Sequence, residues 1–255
     1  MEQWKDKVAL VTGASSGMGQ SIALSLLNSG MRLVACDLHE DKLHNLKKNI
    51  KNAHYLPIAI DLRDESKIMM MFEKIRQEWG GVDVLINNAG IGHLSSLITG
   101  KTELWREIIE VNILALCICT REAIKDMRRR DDKGYIINIC STDAHVIPPD
   151  GSMYAASKSA VRTLTYELRE ELLDLKSNIR VTAISPGRTE TNFLANYLKD
   201  AEKMQNAYQE YKALEPKDIA NTVIHVLSQP GHVQFQDLVL YPLRQPSFYR
   251  TPGAE

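Results

Sequence analysis

Short apolar runs alternate with longer amphipathic stretches along almost the whole chain. Val8–Val11, Arg32–Cys36, Tyr55–Ile60, Val82–Ile86, Tyr135–Cys140, Ile179–Ile184 and Leu238–Tyr241 are largely apolar at successive positions, not at every second one. A strand covered on both faces needs that pattern, and parallel sheets flanked by helices bury their strands this way. Between the runs, apolar residues recur at helical spacing, as in Ala160, Val161, Leu164, Leu168, Leu172 and Leu175. Helices are expected near 17–28, 40–50, 65–79, 103–128 and 153–175, and from Pro216 onward. Gly30 and the pair Gly80-Gly81 stand where helices should stop. The alternation predicts an α/β fold: a doubly wound, Rossmann-like parallel sheet of about seven strands, with helices on both faces and right-handed crossovers. One domain over 1–255 is expected, with a tail after Pro242 that is partly loose.

A formal net charge of −1 argues against a general attraction to nucleic acid or anionic membrane. The one basic run, Arg128-Arg129-Arg130, is followed at once by Asp131-Asp132 and reads as a solvated loop. Cys36, Cys117, Cys119 and Cys140 lack the spacing of a zinc site, so free thiols in a reducing compartment are expected, with no metal. Met1–Lys7 is polar, unlike a secretory signal, and no unbroken apolar run approaches the ~20 residues of a membrane span. A cytoplasmic protein without an anchor is the expectation.

The first apolar run enters Thr12-Gly13-Ala14-Ser15-Ser16-Gly17-Met18-Gly19. Glycines between a first strand and a first helix let backbone approach a phosphate, and the helix N-terminus offers free N–H groups. A plain structural turn is the competing reading, but the position suits a dinucleotide site. Gly13, Ser15, Ser16, Gly17, Met18 and Gly19 are therefore candidate cofactor residues. The second run ends in Asp37, where an acid accepts hydrogen bonds from adenosine ribose hydroxyls and repels a 2′-phosphate. No arginine follows closely, which favours NAD over NADP; a helix cap or surface acid is the alternative.

Tyr154 and Lys158 are four residues apart near the start of a helical stretch, a spacing that puts them on one face. Free tyrosine titrates near ~10, and a neighbouring ammonium lowers that value. The phenol could then give a proton to a carbonyl oxygen, or take one from an alcohol. Ser141 follows the fifth strand, at the sheet end where ligands bind, and its hydroxyl could polarise a substrate oxygen; a turn cap is the alternative. Asn112 sits inside the long fourth helical stretch, where asparagine is unfavourable. A local break there could hold a water linking Lys158 to solvent.

These motifs occur together and in order, with Asn87-Asn88-Ala89-Gly90 and Pro186-Gly187 between and after them. The set resembles the short-chain dehydrogenases/reductases in their single-domain form, over nearly the whole chain. The resemblance implies that Tyr154 is the acid/base, that Ser141 orients the substrate oxygen, and that Asn112 completes a proton relay. It implies that Lys158 binds the nicotinamide ribose and acidifies the tyrosine. Asp61 and Leu62 match the adenine contact, Asn88, Ala89 and Gly90 the ribose wall, and Pro186, Gly187, Thr189 and Thr191 the nicotinamide side. Cys140 departs from the pattern, standing where serine is frequent. Within the family, 117–123 and 214–228 are similar to the farnesol dehydrogenase and dehydrogenase/reductase member 11 group. That likeness suggests an apolar substrate and NADP, whereas Asp37 points to NAD.

The segment near 188–213 is expected to form a substrate lid, with Phe193, Leu194, Tyr197, Leu198 and Met204 as its apolar stripe or as ordinary helix packing. Asp143, His145, Val146 and Ile147 could form the facing wall, with His93 beside them. The leading reading is an NAD-dependent alcohol dehydrogenase or carbonyl reductase acting on a small molecule. A non-catalytic dinucleotide sensor or scaffold on the same fold is the alternative, though such a chain could discard the Ser–Tyr–Lys set. A nucleotide-sugar epimerase needs more than the about 70 residues after Pro186, and a hydrolase needs a Gly-x-Ser-x-Gly turn that is absent. The two longest helical stretches are apolar on more faces than one domain requires, so a homodimer or homotetramer is expected through them.

Overall fold

A computed structural model describes residues 1–48, 50, 54–148, 152–198 and 211–246. The elements follow the expected alternation: β1 (Val8–Thr12), α1 (Gly17–Asn28), β2 (Arg32–Asp37), α2 (Glu40–Lys48), β3 (Tyr55–Ala59), α3 (Glu65–Trp79) and β4 (Val84–Asn87). Then come α4 (Thr102–Ile109), a π-helical segment (Glu110–Leu114), α5 (Ala115–Arg129), β5 (Lys133–Ile139), α6 (Ser152–Asp174) and β6 (Asn178–Pro186). A short α7 (Phe193–Leu198), α8 (Pro216–Ser228) and β7 (Asp237–Leu240) complete the described elements. The seven strands form one sheet in the order β3-β2-β1-β4-β5-β6-β7, every pair parallel.

Two apolar cores explain why the strand runs are continuous. Ala9 and Val11 of β1 point into a core with Ile22 and Leu26 of α1 and Val223 of α8. Val8 and Leu10 point the other way, into a core with Phe72 of α3, Ile118 of α5 and Ile136 of β5. Each residue of β1 is buried, so no position can be polar without a partner.

Helix ends follow the expected stops. Gly80 closes α3 in the left-handed conformation (φ 84°), and Asp64 caps its start by accepting from the Lys67 N–H. Pro216 opens α8, where Glu215 and Asp218 form a reciprocal capping box.

The expected helix over 103–128 is instead α4 and α5 joined by the π-helical turn that contains Asn112. β4 begins two residues later than the apolar run, because Val82 is buried outside the ladder, its N–H bonded to Asp126. The basic run 128–130 is not a solvated loop. Arg128 and Arg129 end α5, and Arg130 reaches the Val82 carbonyl and, at 3.1 Å, Asp83. Arg76 spans α3 and α5, with Asp126 at 2.6 Å and Glu122 at 2.9 Å. The expected helix end near 49, residues 199–210 of the lid with Met204, and the tail from 247 lie outside the described residues.

The chain winds outward from β1 through β2 to β3, then returns to β4 and winds the other way. Beyond the carboxyl ends of β1 and β4 this reversal opens a crevice, the place where such sheets bind ligands.

Candidate active site

Thr12 closes β1 at the edge of the crevice and ties the two halves of the sheet together. Its hydroxyl accepts from the N–H groups of Asn88 and Ala89, both at 3.0 Å. The Asn88 carboxamide donates back to the carbonyls of Thr12 at 2.9 Å and Gly13 at 3.1 Å. Asn88 thus holds the glycine turn in place, and its side chain is spent on that task.

The turn itself is shaped for an anion. A side chain at Gly19 would bring its Cβ to 2.1 Å from the Gly13 carbonyl oxygen, so only glycine lets the helix start this close to the strand. Ser16 is the N-cap of α1 without a side-chain cap bond, which leaves the first-turn N–H groups available. Ser15 Oγ is buried and has no hydrogen-bond partner. An orphaned hydroxyl beside an uncapped helix start fits a dinucleotide phosphate. Met18 turns its side chain toward the core, so any cofactor contact falls to its backbone. Gly17 (φ +52°) meets Thr191, whose Cγ2 would lie 3.1 Å from a Cβ there; the loops after β1 and β6 therefore close on each other.

Asp37 ends β2, half-buried, and its carboxylate accepts from the Ser15 N–H at 3.1 Å and the His39 N–H at 3.0 Å. Asp61 is gripped by the Arg63 fork at 2.6–3.1 Å, and those hydrogen bonds hold its carboxyl below the usual range. Leu62 packs against the second core. Pro186 ends β6, and the Gly187 N–H donates to Leu240 at 2.7 Å. Thr189 bridges to Leu214, and the Phe193 N–H donates to Thr191 Oγ1 at 3.3 Å.

The structure brings Ser141, Tyr154 and Lys158 together, all three buried. The Ser141 hydroxyl accepts from the Asp143 N–H at 3.1 Å and favours the ionised form of the Tyr154 phenol. Lys158 Nζ donates to the Ile139 carbonyl at 2.8 Å and lies 5.8 Å from the Tyr154 ring centroid. Gly90 sits over this amine: a Cβ there would be 3.4 Å from Nζ and 3.5 Å from Asn112 Oδ1.

Asn112 exchanges two hydrogen bonds with the backbone of Ile91 and donates to Ser157 Oγ at 3.0 Å. Ser157 in turn donates to the Tyr154 carbonyl at 2.7 Å. Sequence reasoning missed Ser157 and the Thr12 hydroxyl. The available signal for Ser157 was a small hydroxyl one helical turn beyond Tyr154.

Phe193 and Tyr197 lie against the Tyr154 ring, with centroids 5.2 Å and 5.9 Å away. Gly92 fills the gap beside them, since a Cβ would come within 2.7 Å of Tyr197 and 2.9 Å of Phe193. Both rings therefore pack against Tyr154. Their packing changes the expected electrostatics. Burial first, then the negative charge of Asp143, pushes the Tyr154 phenol well above its ordinary range, and the Ser141 hydroxyl only partly offsets this. Burial likewise lowers Lys158. Desolvation thus favours the protonated phenol, against the acidifying effect expected of a neighbouring ammonium.

The histidines divide. His145 does not present a free ring to the pocket, because Nε2 lies 3.0 Å from Ser185 and 3.2 Å from Asp237, and Nδ1 3.1 Å from Arg162. It braces the turn after β5 against β6 and β7. His93 Nε2 is 3.1 Å from Glu107, and its Nδ1 is buried without a partner. Asp143 is half-buried, and burial lifts its carboxyl to about 6 despite the nearby Lys158 charge.

Comparisons with known proteins bear on the family and the fold. The family model for short chain dehydrogenase matches residues 7–202. The chain is 44% identical to dehydrogenase/reductase SDR family member 11 of Bos taurus, over 96% of this chain and 99% of that one. It is 34% identical to farnesol dehydrogenase of Aedes aegypti, over 95% and 98%. Among solved structures, the closed form of serine dehydrogenase complexed with NADP+ superposes with a TM-score of 0.91 at 30% identity, covering 97% of this chain and 100% of that one. An alcohol dehydrogenase from Thermococcus sibiricus complexed with 5-hydroxy-NADP gives 0.82 at 26% identity, over 95% and 99%.

Proposed function

The chain belongs to the short-chain dehydrogenase family and is a hydride-transferring oxidoreductase; we propose that it interconverts an alcohol and a carbonyl with Tyr154 as acid/base, using NAD in preference to NADP. The observation that carries the reading is the Tyr154 phenol, buried with Ser141 and Lys158 and packed against Phe193 and Tyr197.

When bound, the dinucleotide supplies or accepts the hydride. Gly13, Ser15, Ser16, Gly17, the Met18 backbone and Gly19 would hold its pyrophosphate, Asp61 and Leu62 the adenine end, and Asn88, Ala89 and Gly90 the ribose wall. Pro186, Gly187, Thr189 and Thr191 would line the nicotinamide end. Tyr154 Oη holds the proton and delivers it to the substrate oxygen as the carbonyl is reduced. Ser141 Oγ steadies that oxygen as charge builds on it. Lys158, fixed by Ile139, offers its donors to the nicotinamide ribose. Asn112 keeps the floor of the site in register through Ile91 and Ser157. The rings of Phe193 and Tyr197 form the apolar wall for the substrate body.

Asp37 supports NAD. A 2′-phosphate brought to its carboxylate would meet a like charge at the end of β2, and the Arg63 fork one strand away is held by Asp61. The solved neighbours named above are complexed with NADP+ and 5-hydroxy-NADP, so cofactor choice is the feature on which this chain would part from them. A homo-oligomer is supported by a groove of about 730 Å³ between α5 and α6, apolar at Leu116, Leu164 and Leu168. Basic Arg121, Lys125 and Arg128 rim it on α5, and acidic Glu167 and Glu171 on α6, so a two-fold copy would meet it with opposite charges. Among the described residues no helix is long and apolar enough to cross a membrane. The four free cysteines fit a reducing cytoplasm.

The test is turnover. Purified protein is assayed with NAD(H) and NADP(H) against a panel of alcohols and ketones, following nicotinamide absorbance. Cofactor-dependent turnover, higher with NAD(H), is expected; no turnover with either cofactor across the panel would return the chain to the sensor alternative.

A further inference from the structure

The short 3-10 turn Thr142–Ala144 starts from Ser141 and ends at His145. Its backbone is bonded along its whole length. The Ala144 N–H donates to the Ser141 carbonyl at 3.1 Å, and the His145 and Val146 N–H groups donate to the Thr142 carbonyl at 2.9 and 3.0 Å. The Asp143 N–H donates to Ser141 Oγ. A unit bonded in this way moves as one piece, so whatever holds the His145 ring also holds the Ser141 hydroxyl.

That ring reaches the other elements that carry the site. Nδ1 lies 3.1 Å from an Arg162 guanidinium nitrogen, and Arg162 stands one helical turn beyond Lys158 on α6. Nε2 lies 3.0 Å from Ser185 Oγ, immediately before Pro186 on β6, and 3.2 Å from Asp237, the first residue of β7. These partners fix the proton. A guanidinium has donors only, so Nδ1 accepts and Nε2 carries the hydrogen. Nε2–H then points at Ser185 and Asp237. Asp237 also accepts from Ser185 Oγ at 3.0 Å and from the Tyr166 hydroxyl at 3.1 Å. His145 is thus a neutral ring between a carboxylate and a guanidinium. Cys140, which packs with Ala144 in a small apolar cluster, and Asp143 on the turn itself are titratable neighbours as well.

A proton added to Nδ1 would set an imidazolium N–H against the Arg162 N–H, two donors and two positive charges 3.1 Å apart. That contact would have to open, and the turn would part from α6. Resting on the hydride-transfer reading above, we propose that His145 is a positioning residue of the reaction. Its neutral ring, accepting from Arg162 and donating to Ser185 and Asp237, holds Ser141 in register with Tyr154 and Lys158 on α6 and with the loop after β6. Protonation of Nδ1 releases the clamp, so catalysis fails on acidification while the pocket side chains stay in place in the sequence.

Two measurements test this, and the first needs no turnover. Ring ¹⁵N NMR of histidine-labelled protein with NADH present, assigned with H145N, should show Nδ1 bare and Nε2 protonated at pH ~7.5. H145N keeps an acceptor for Arg162 but cannot take up a proton. Amide exchange over 143–146 should match in parent and variant at pH ~7.5, and be at least about tenfold faster in the parent at pH ~5.5. A protonated Nδ1 at the higher pH, or equal exchange at the lower, would overturn the proposal. The second measurement follows reduction of 1-phenyl-1,2-propanedione by NADH. Tyr154 gives up a proton in this direction, and burial already favours its protonated form, so acid does not disable it. The kcat of the parent should fall at least about fivefold from pH ~7.5 to ~5.5, with the KM for NADH unchanged. The fall should persist in D143N and vanish in H145N. A fall that D143N abolishes, or that H145N keeps, would overturn the proposal. No turnover of the dione, with the ring spectrum and exchange as expected, would sink hydride transfer on this ketone and keep the clamp. Turnover with Nδ1 protonated would do the reverse.

Discussion

Asn112 and Ile91 hold each other by two reciprocal hydrogen bonds: the Ile91 N–H donates to Asn112 Oδ1, and Asn112 Nδ2 donates to the Ile91 carbonyl, each at 2.9 Å. The side chain of one residue thus satisfies the whole backbone of the other. Asn112→Ala leaves a half-buried N–H and C=O of Ile91 unpaired and removes the donor to Ser157 Oγ. A loss of about 2–3 kcal/mol in urea unfolding is expected, with a fall in kcat. An Asn112→Ala variant as stable as the parent would show that water replaces the amide fully.

Tyr154→Phe removes the proton and keeps the ring that packs on Phe193 and Tyr197. Turnover should fall by about 10³-fold, while NADH affinity from fluorescence titration changes little. Parent-like rates would exclude Tyr154 as the acid/base.

Asp37→Ala removes the negative charge at the end of β2 and an acceptor for the Ser15 N–H. The ratio of kcat/KM for NAD+ to that for NADP+ should drop, by about tenfold if one like-charge repulsion is relieved. A ratio that stays fixed or rises would place the adenosine ribose elsewhere.

Asp143 gives stability a definite pH dependence. Burial raises its carboxyl in the folded protein to about 6, above the ordinary 3.8. The folded state therefore binds the proton more tightly than the unfolded chain. Its contribution falls as pH rises between those two values and is level above them. Asp143→Asn should match the parent near pH ~4 and exceed it near pH ~7.5 by about 2 kcal/mol in urea unfolding. A variant advantage that is equal at both pH values would mean that the carboxyl is not raised.

Gly92→Ala places a methyl within 2.7 Å of Tyr197 and 2.9 Å of Phe193. The rings must shift, so substrate KM should rise severalfold while cofactor affinity holds. Unchanged KM would show that α7 yields without consequence for the pocket.

The sheet was legible because its central strands are buried on both faces, which writes a continuous apolar run into each. Boundaries were less so. Val82 reads as strand because it is apolar, yet Asp126, far away in the chain, takes its N–H. Asn112 marked a fault in a helix correctly, since asparagine is out of place there. Its bonding to Ile91 depends on a loop that the local pattern does not describe. The identities of Ser141, Tyr154 and Lys158 could be read from spacing and resemblance. The protonated state of Tyr154 could not, because its burial comes from rings on α7. The bonding of His145 was hidden for the same reason: Ser185, Asp237 and Arg162 come from three other elements.

The π-helical segment between α4 and α5 carries more residues per turn than its neighbours, which sets the rotational phase of one helix against the other. Taking out a single residue between Glu110 and Leu114 would regularise the helix and carry the residue at the Asn112 position round the helix axis by ~100°. Asn112 or its partner would then face the wrong way, although every side chain of the pocket would still be encoded. In this stretch residue count is as functional as residue identity, and a one-codon deletion there would mimic the loss of a site residue.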